Sequence, residues 1–338
     1  LISKGYKFKT KTDVEVILHG YIEWGDILWG KLNGIFSIVL LDRRINKIFL
    51  IRDHLGVKPL HYFVKGEKIY FGSDYNSFLS IHGHKHSLNN SALVSYLSFR
   101  NVIGKQTFYK GIFDILPGTK ITYDGNHVKE NQFWDIPTEI GQDQGIDYYL
   151  NEIDRLIDES IKKQMVSDVP LGAFISGGLD SSLLLSYIKK YKPDINTYIT
   201  GFEENGYNEF NYADTVANYL NLNQPKKLKI NQGEYIDALK KTIKYRGEPI
   251  SVPHENAFLK MSNFMKKDIS RELPPFFLPN TCLFFSLDGG DLSDGPLGSH
   301  AWRDLSSPLK AISHCTTLTA LFGIFRENKP PKSVERRP

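Results

Sequence analysis

The sequence predicts a two-domain protein that combines an α+β part with an α/β part. At 338 residues, the chain is longer than a single hydrophobic core normally supports. Residues 1–80 contain short strand-forming runs joined by turns, whereas strand and helix patterns alternate beyond residue 150. Between these parts, residues 136–145 are polar, contain glycine and show no periodicity, which predicts a domain boundary.

The N-terminal part is expected to form antiparallel hairpins flanked by helices. Residues 35–41 are a continuous run of β-forming side chains, and a polar turn separates them from a second strand. A second pair of strands flanks the turn Lys65-Gly66-Glu67. The later of the two predicted helices has Asn90 or Ser91 as its N-cap. The predicted strands are 35–41, 47–52, 61–64 and 68–72, and the predicted helices are 14–24 and 92–98.

The C-terminal part is expected to form a parallel sheet covered by helices. It opens with a helix in which Leu150, Ile153, Ile157 and Ile161 recur at helical spacing. Strands are then predicted at 171–175, 196–202 and 226–230, alternating with helices at 181–190, 211–220 and 234–244. Ligands of such sheets bind beyond the carboxyl ends of the strands, so the turn after the first strand is the expected binding site.

That turn has the composition of an anion-binding loop. Two adjacent glycines allow the main chain to approach a ligand closely, and three serine hydroxyls together with the first free N–H groups of the helix supply donors. Asp180 can hold the magnesium ion that accompanies a nucleotide's phosphates. The alternative is an ordinary strand-to-helix turn with an N-cap. The residues predicted to bind pyrophosphate are Ser176, Gly177, Gly178, Asp180, Ser181 and Ser182.

Charge balance and apolar content argue against several function classes. The 42 basic and 38 acidic residues leave a net charge of +4, which is too small to predict a nucleic-acid or membrane surface. The longest strongly apolar run, residues 35–41, is far shorter than the roughly 20 residues of a membrane-spanning helix. Cys282 and Cys315 have no CxxC spacing, so neither a disulfide framework nor a structural zinc site is expected. With no signal segment at its start, the chain is expected to be cytoplasmic.

The string Ser-Gly-Gly-x-Asp-Ser at residues 176–181 lacks the lysine of a Walker A loop. It resembles instead the pyrophosphatase-type loop, or PP-loop, of enzymes that cleave ATP between its α and β phosphates. Residues 167–172 are similar to the run that precedes this loop in glutamine-hydrolysing asparagine synthetases. The resemblance implies ATP and Mg²⁺ as cofactors. Because residues 197–202 resemble the family strand whose main chain contacts adenine, it also places Ile175 and Thr200 next to the base.

Strings in the N-terminal part resemble the glutaminase domain of class II amidotransferases, an Ntn-hydrolase fold in which two antiparallel sheets stack between helices (αββα). These strings lie at 8–18, 29–42, 52–60 and within 111–134, in the order found in asparagine synthetases. The resemblance implies that Asp13 binds the α-amino group of glutamine, and the alternative is an N-cap for the helix starting at Val14. Arg52 and Asp53 are interpreted as structural, because a strand followed by Asp-His-Leu-Gly is also a plain turn.

The chain departs from the family pattern at its first residue. The family's glutaminase nucleophile is an N-terminal cysteine, whereas residue 1 is leucine. Residues 1–138 are therefore expected to be a partial glutamine amidotransferase domain that cannot hydrolyse glutamine. Residues 148–292 are the expected PP-loop synthetase domain, and the remaining residues, 293–338, form an unassigned tail.

The acidic motif near the end of the expected synthetase domain is imperfect. Leu287 and Leu292 stand where the family has glycine and glutamate. By analogy, Asp288 is the catalytic acid or base near the adenylate, and Asp291 is a magnesium ligand in addition to Asp180. A glycine-rich acidic surface turn is the alternative interpretation.

The resemblance implies ATP-dependent amidation of a carboxylate through an acyl-adenylate. The substrates would be aspartate, or another carboxylate, and glutamine or ammonia. Two alternatives remain open: an amidotransferase for a different carboxylate, such as a sugar acid or a peptide side chain, and a catalytically silent ATP-binding module. No nucleic-acid or membrane partner is expected, and a homodimer is an open possibility.

Overall fold

The computed structural model describes residues 1–81, 86–139, 141–167, 171–204, 206, 208–269 and 283–287. These residues form two compact units. The first contains Leu1–Pro137, Arg246–Glu248 and residues 283–287, and the second contains Thr138–Tyr245 and residues 249–269. The main change of unit falls between Pro137 and Thr138, inside the polar stretch of the sequence.

Both units contain strands and helices, numbered along the chain. The strands are β1 (Ser37–Asp42), β2 (Lys47–Arg52), β3 (His61–Lys65), β4 (Lys68–Gly72), β5 (Phe113–Asp114), β6 (Thr119–Tyr123), β7 (Val128–Gln132), β8 (Gly172–Phe174), β9 (Asn196–Phe202), β10 (Lys226–Ile230) and β11 (Leu283–Leu287). The helices are α1 (Asp13–Trp24), α2 (Leu28–Lys31), α3 (Tyr75–Leu79), α4 (Asn90–Phe99), α5 (Ile146–Gln164), α6 (Leu179–Tyr191), α7 (Phe210–Tyr219), α8 (Gln232–Arg246) and α9 (Glu255–Ile269).

The described part of the first unit has a larger sheet in the order β11-β1-β2-β6-β7 and a smaller one in the order β4-β3-β5. The two predicted hairpins are confirmed, since β1 pairs antiparallel with β2 and β3 pairs antiparallel with β4. The second predicted helix, α4, begins slightly earlier than expected, because Asn89 is its N-cap. Hairpins of this kind form locally, and turn residues together with strand-forming runs are enough to specify them.

Alternate residues of β1 face two different cores. Val39 and Leu41 pack between the two sheets, in a cluster that includes Ile69 of the smaller sheet. Ile38 and Leu40 point the other way, into a cluster with residues of α1 and α2. On the far side of the smaller sheet, a further cluster joins β3 to α3. The layers of the first unit are therefore helix, sheet, sheet and helix, held by burial of apolar side chains worth roughly 1.5–3 kcal/mol each.

The second unit contains a parallel sheet in the order β10-β9-β8, as predicted from the alternation of strands and helices. On one face, Ile175 and Ile199 pack with Leu185 of α6 and Ala213 of α7. The other face contacts α9, where the rings of Tyr198 and Phe264 lie 6.3 Å apart. Helices thus cover both faces, which leaves the strand ends as the places where a ligand can reach the sheet.

The strand β11 differs from the expected domain arrangement. Its residues fall in the range expected for the synthetase domain, yet they pair in parallel with β1 of the first unit, with Leu283 opposite Ile38 and Leu287 opposite Asp42. An open sheet edge presents unpaired main-chain groups that accept an extended apolar segment with little regard to its sequence. The local pattern of the strand therefore does not determine which sheet it joins.

Candidate functional site

The candidate site lies at the carboxyl edge of the sheet in the second unit. Beyond β8, Ile175 still donates its N–H to the carbonyl of Tyr198 at 3.0 Å, and the chain then turns into α6. Phe174 lies opposite Tyr198 in the parallel register. Two residues further along each strand, Ser176 is therefore level with Thr200. The structure brings the predicted turn and Thr200 to the same edge.

The three serine hydroxyls of the turn form one hydrogen-bonded group. The hydroxyls of Ser176 and Ser181 lie 2.8 Å apart, and Ser176 Oγ accepts the N–H of Gly178 at 3.2 Å. Ser181 and Ser182 both donate to the carbonyl of Gly178, at 3.1 and 2.7 Å. This network closes the turn and gathers the hydroxyls beside the start of α6. Because a hydroxyl rotates freely, each can be redirected to an anion without movement of the main chain.

Gly177 is required by both its conformation and its surroundings. Its φ is +79°, in the left-handed region that favours glycine. A Cβ atom at this position would lie 2.8 Å from the carbonyl carbon of Tyr212 and 3.0 Å from the nitrogen of Ala213, both in α7. The turn is thus pressed against the main chain of α7, and a side chain at this position would force the two apart.

The first turn of α6 presents main-chain donors and a carboxylate. Its N-cap is Gly178, which has no side chain to accept the first N–H groups. These groups lack intrahelical acceptors and carry the positive end of the helix dipole, so they favour an anion. Asp180 is exposed in the same turn. The turn can therefore bind an anion and hold a cation beside it.

The donor chemistry fits a magnesium ion that arrives with a nucleotide. In the part of the chain that the structure describes, no group of three or more His, Cys, Asp or Glu side chains could hold a metal ion. Magnesium, however, is usually bound by one or two carboxylates together with water and phosphate oxygens rather than by a complete protein cage. Asp180 could supply a hard oxygen ligand of that kind, and the phosphates would supply the others.

Asn208 also belongs to this edge, although the sequence interpretation assigned it no chemistry. Its Oδ1 accepts the N–H of Phe202 at 2.6 Å, and its Nδ2 donates to the carbonyl of Phe202 at 2.7 Å. The side chain thus pairs both main-chain groups of the last residue of β9. The available sequence signal was an asparagine a few residues after a strand, which is common in turns and so did not single it out.

The predicted glutamine-binding residue lies in the first unit. Asp13 is the first residue of α1, it is exposed, and its Oδ1 accepts the N–H of Val14 at 2.9 Å. Thr12, rather than Asp13, occupies the N-cap position. The alternative interpretation, that Asp13 is the N-cap of α1, is therefore wrong. The carboxylate remains accessible to a cationic ligand such as an ammonium group.

Arg52 and Asp53 have the structural role expected of them. Arg52 donates to the carboxylate of Asp114 at 2.8 Å and to the carbonyls of Gly56 and Lys58, each at 2.8 Å. Asp53 accepts three main-chain N–H groups of the same turn, at 2.9 to 3.2 Å. Asp53 thus closes the turn after β2, and Arg52 joins that turn to Asp114 of β5.

The remaining predicted site residues, Asp288 and Asp291, lie outside the described residues. Their roles stay predictions from the resemblance. Among the helices that the structure describes, none combines the length and apolar character needed to cross a membrane.

Comparison with protein families matches the two halves of the chain separately. Residues 1–134 match the glutamine amidotransferase domain, and residues 152–271 match asparagine synthase. Together the two matches cover most of both units, in the order that the sequence strings predict.

Individual proteins show the same relationship. Asparagine synthetase [glutamine-hydrolyzing] 1 of Bacillus subtilis is 31% identical over 260 residues, which are 75% of this chain and 40% of the relative. Asparagine synthetase [glutamine-hydrolyzing] 3 of the same organism is 29% identical over 287 residues, which are 79% of this chain and 46% of the relative. Asparagine synthetase B [glutamine-hydrolyzing] of Escherichia coli is 27% identical over 230 residues, which are 64% of this chain and 36% of the relative. The chain thus spans less than half the length of these relatives, and it belongs to the family of glutamine-hydrolysing asparagine synthetases.

Proposed function

We propose that the chain is part of an enzyme that amidates a carboxylate through an acyl-adenylate, making asparagine from aspartate with ammonia derived from glutamine. The observation that carries this proposal is the turn between β8 and α6. It combines three clustered hydroxyls, a glycine in the left-handed conformation and an uncapped helix N-terminus at the carboxyl edge of a parallel sheet. The names of the relatives supply the substrates of the proposal.

In the second unit, the proposed ligand is ATP. The pyrophosphate end would accept hydrogen bonds from the hydroxyls of Ser176, Ser181 and Ser182 and from the first N–H groups of α6. Asp180 would hold Mg²⁺, which when bound neutralises charge on the phosphates. Ile175 and Thr200 would flank the base, because both lie at the edge next to the turn. The family PP-loop fold is part of this proposal, and the parallel sheet with helices on both faces supports it.

The proposed reaction has two steps. An oxygen of the substrate carboxylate attacks the α phosphorus of ATP, and the bond from that phosphorus to the bridging oxygen of the β phosphate breaks, which releases pyrophosphate. Ammonia then attacks the acyl carbon, and AMP leaves with the oxygen of the former carboxylate. The turn would stabilise the negative charge that develops on the departing pyrophosphate. Asp288 as acid or base and Asp291 as a further Mg²⁺ ligand complete the proposal by resemblance.

In the first unit, the proposed ligand is glutamine. Asp13 would bind its α-amino group, since the carboxylate is exposed and its contact with Val14 leaves oxygen lone pairs available. The order of layers, helix, sheet, sheet and helix, supports the Ntn-hydrolase architecture that this role implies.

The test is exchange of labelled pyrophosphate into ATP. We expect exchange that depends on aspartate and Mg²⁺. The double variant Asp180→Ala/Ser181→Ala should lose at least about tenfold, because the hydrogen bond from Ser181 to a charged phosphate is worth roughly 1.5–3 kcal/mol and the proposed Mg²⁺ ligand is lost as well. Ser186→Ala is the matched control, since Ser186 lies on the same helix and bonds only to a helix carbonyl among the described residues. Exchange with another carboxylate but not with aspartate would assign a different substrate. ATP binding without exchange for any carboxylate would leave a silent nucleotide-binding module.

A further inference from the structure

Among the described residues, the main chain of β9 has a gap in its pairing beside the turn. The N–H and C=O groups of successive strand residues point to opposite sides. The carbonyl of Tyr198 faces β8, where it accepts the N–H of Ile175, whereas the N–H of Glu203 faces β10 and donates to Ile230 at 3.3 Å. By this alternation, the main-chain groups of Thr200, like those of Tyr198, point to the side of β8. β8 has already turned away at that level, so Thr200 faces the turn.

Asn208 ends this gap on its far side. The main chain of Phe202 points in the same direction as that of Thr200, and it would be the next pair of groups in need of partners. Asn208 supplies both partners, with its Oδ1 and Nδ2 at 2.6 and 2.7 Å. In consequence, the main chain of Thr200 lies between the hydrogen bond from Ile175 to Tyr198 on one side and the Asn208 side chain on the other.

The neighbouring glycine indicates that this arrangement is built into the fold. A Cβ atom on Gly201 would collide with Oδ1 of Asn208 and with the ring of Phe210. A side chain at position 201 would therefore push Asn208 away from Phe202. The glycine and the asparagine act together to fix the end of β9.

We propose that Asn208 is a positioning residue for the nucleotide base, an inference that rests on the proposed ATP site. Asn208 occupies the main-chain N–H and C=O groups of Phe202. The N–H donor and the C=O acceptor of Thr200 then remain for a base to contact. Adenine presents a matching amino donor beside a ring-nitrogen acceptor, whereas guanine presents an oxygen acceptor and an N–H donor in the opposite order. Asn208 would thereby favour ATP over GTP without touching either nucleotide.

The experiment compares dissociation constants for Mg-ATP, Mg-GTP and inorganic pyrophosphate with Mg²⁺, measured by titration calorimetry on the 338-residue chain. In Asn208→Ala we expect ATP binding to weaken about tenfold, pyrophosphate binding to change less than about twofold, and the preference for ATP over GTP to fall. Asn208→Asp keeps the acceptor for the Phe202 N–H and should show an intermediate loss. Asn218→Ala is the control, because it removes an asparagine whose described contact is an exposed bond to Gln224.

Equal weakening of ATP and pyrophosphate in Asn208→Ala would overturn the inference, because it would show a general loss of the site. Unchanged ATP binding would overturn it as well. If Asn208→Ala does not fold, Asn208→Asp decides, and an ATP preference equal to that of the unsubstituted chain would count against the inference. A chain that binds pyrophosphate but not ATP contradicts the base site alone, whereas one that binds neither contradicts the proposed function itself.

Discussion

Glu15 is a buried carboxylate with a structural role in the first unit. It is almost completely buried, and it accepts the N–H groups of Lys9 and Thr10, each at 2.7 Å, and the Thr10 hydroxyl at 2.6 Å. Burial alone would raise the pKa of Glu15, but these hydrogen bonds more than offset that effect and lower it to about 2. The sequence interpretation singled out Asp13 in this segment and overlooked Glu15, because main-chain donors several residues away leave no mark in the sequence.

We expect Glu15→Gln to destabilise the first unit by about 2 kcal/mol at pH 7, since hydrogen bonds to a charged acceptor are worth roughly 1.5–3 kcal/mol. The pKa of Glu15 is lower in the folded chain than its ordinary value of 4.5. The stabilisation is therefore complete above about pH 4.5 and is lost as the pH falls towards 2. Urea unfolding at pH 7, 4 and 3 should show the difference between the two proteins shrinking with acid.

Glu67→Gln serves as the control, because Glu67 is exposed in the turn between β3 and β4. Its unfolding should stay within about 0.5 kcal/mol of the unsubstituted chain, as is usual for surface substitutions. A Glu15→Gln difference that persists unchanged at pH 3 would contradict the assignment of the effect to the carboxylate.

The strand, turn and helix at the candidate site were largely predictable from sequence. The bounds of β9 and β10 agree with the prediction, and α6 begins at Leu179, shortly before the predicted start at Ser181. The difference arises because Gly178, in an extended conformation, is the N-cap, so the helix includes the residues just after the glycines. What the sequence could not reveal is the contact of Gly177 with Tyr212, which depends on how α7 packs much further along the chain.

Gly177→Ala tests this contact between the turn and α7. We expect a loss of about 3 kcal/mol in stability, because a left-handed φ costs a side chain about 1–2 kcal/mol and the clash with α7 adds a similar amount. Gly5→Ala separates the two causes, since Gly5 is left-handed, with a φ of +90° and a ψ of 3°, but has no atom within 4 Å of the position that a Cβ would take. It should lose only about 1 kcal/mol, the cost of the left-handed conformation alone. Equal losses in the two variants, measured by urea unfolding, would show that α7 yields to the extra methyl group.

The arrangement of the whole chain was predictable only where neighbours along the sequence are also neighbours in space. The two hairpins of the first unit and the alternating strands of the second meet this condition, and the structure confirms them. The pairing of β11 with β1 joins residues from opposite ends of the described chain, and no local pattern encodes it. Likewise, the hydrogen bond between Asn208 and the main chain of Phe202 depends on where β9 lies in the fold. The sequence around Asn208 does not encode that position.

The division into two units gives a final prediction about which residues are protected from hydrogen exchange by a bound nucleotide. The proposed site is built from the turn before α6 and from the end of β9, both in the second unit. Hydrogen exchange measured with Mg-ATP should therefore show slower exchange in peptides covering residues 175–182 and 198–204, because bound ligand opposes local opening. Pyrophosphate with Mg²⁺ should protect the first peptide alone, since it has no base to reach Thr200. A peptide covering β1 and β2 is the internal control and should not change. Protection of the second peptide by pyrophosphate would mean that the phosphates, rather than the base, contact the end of β9.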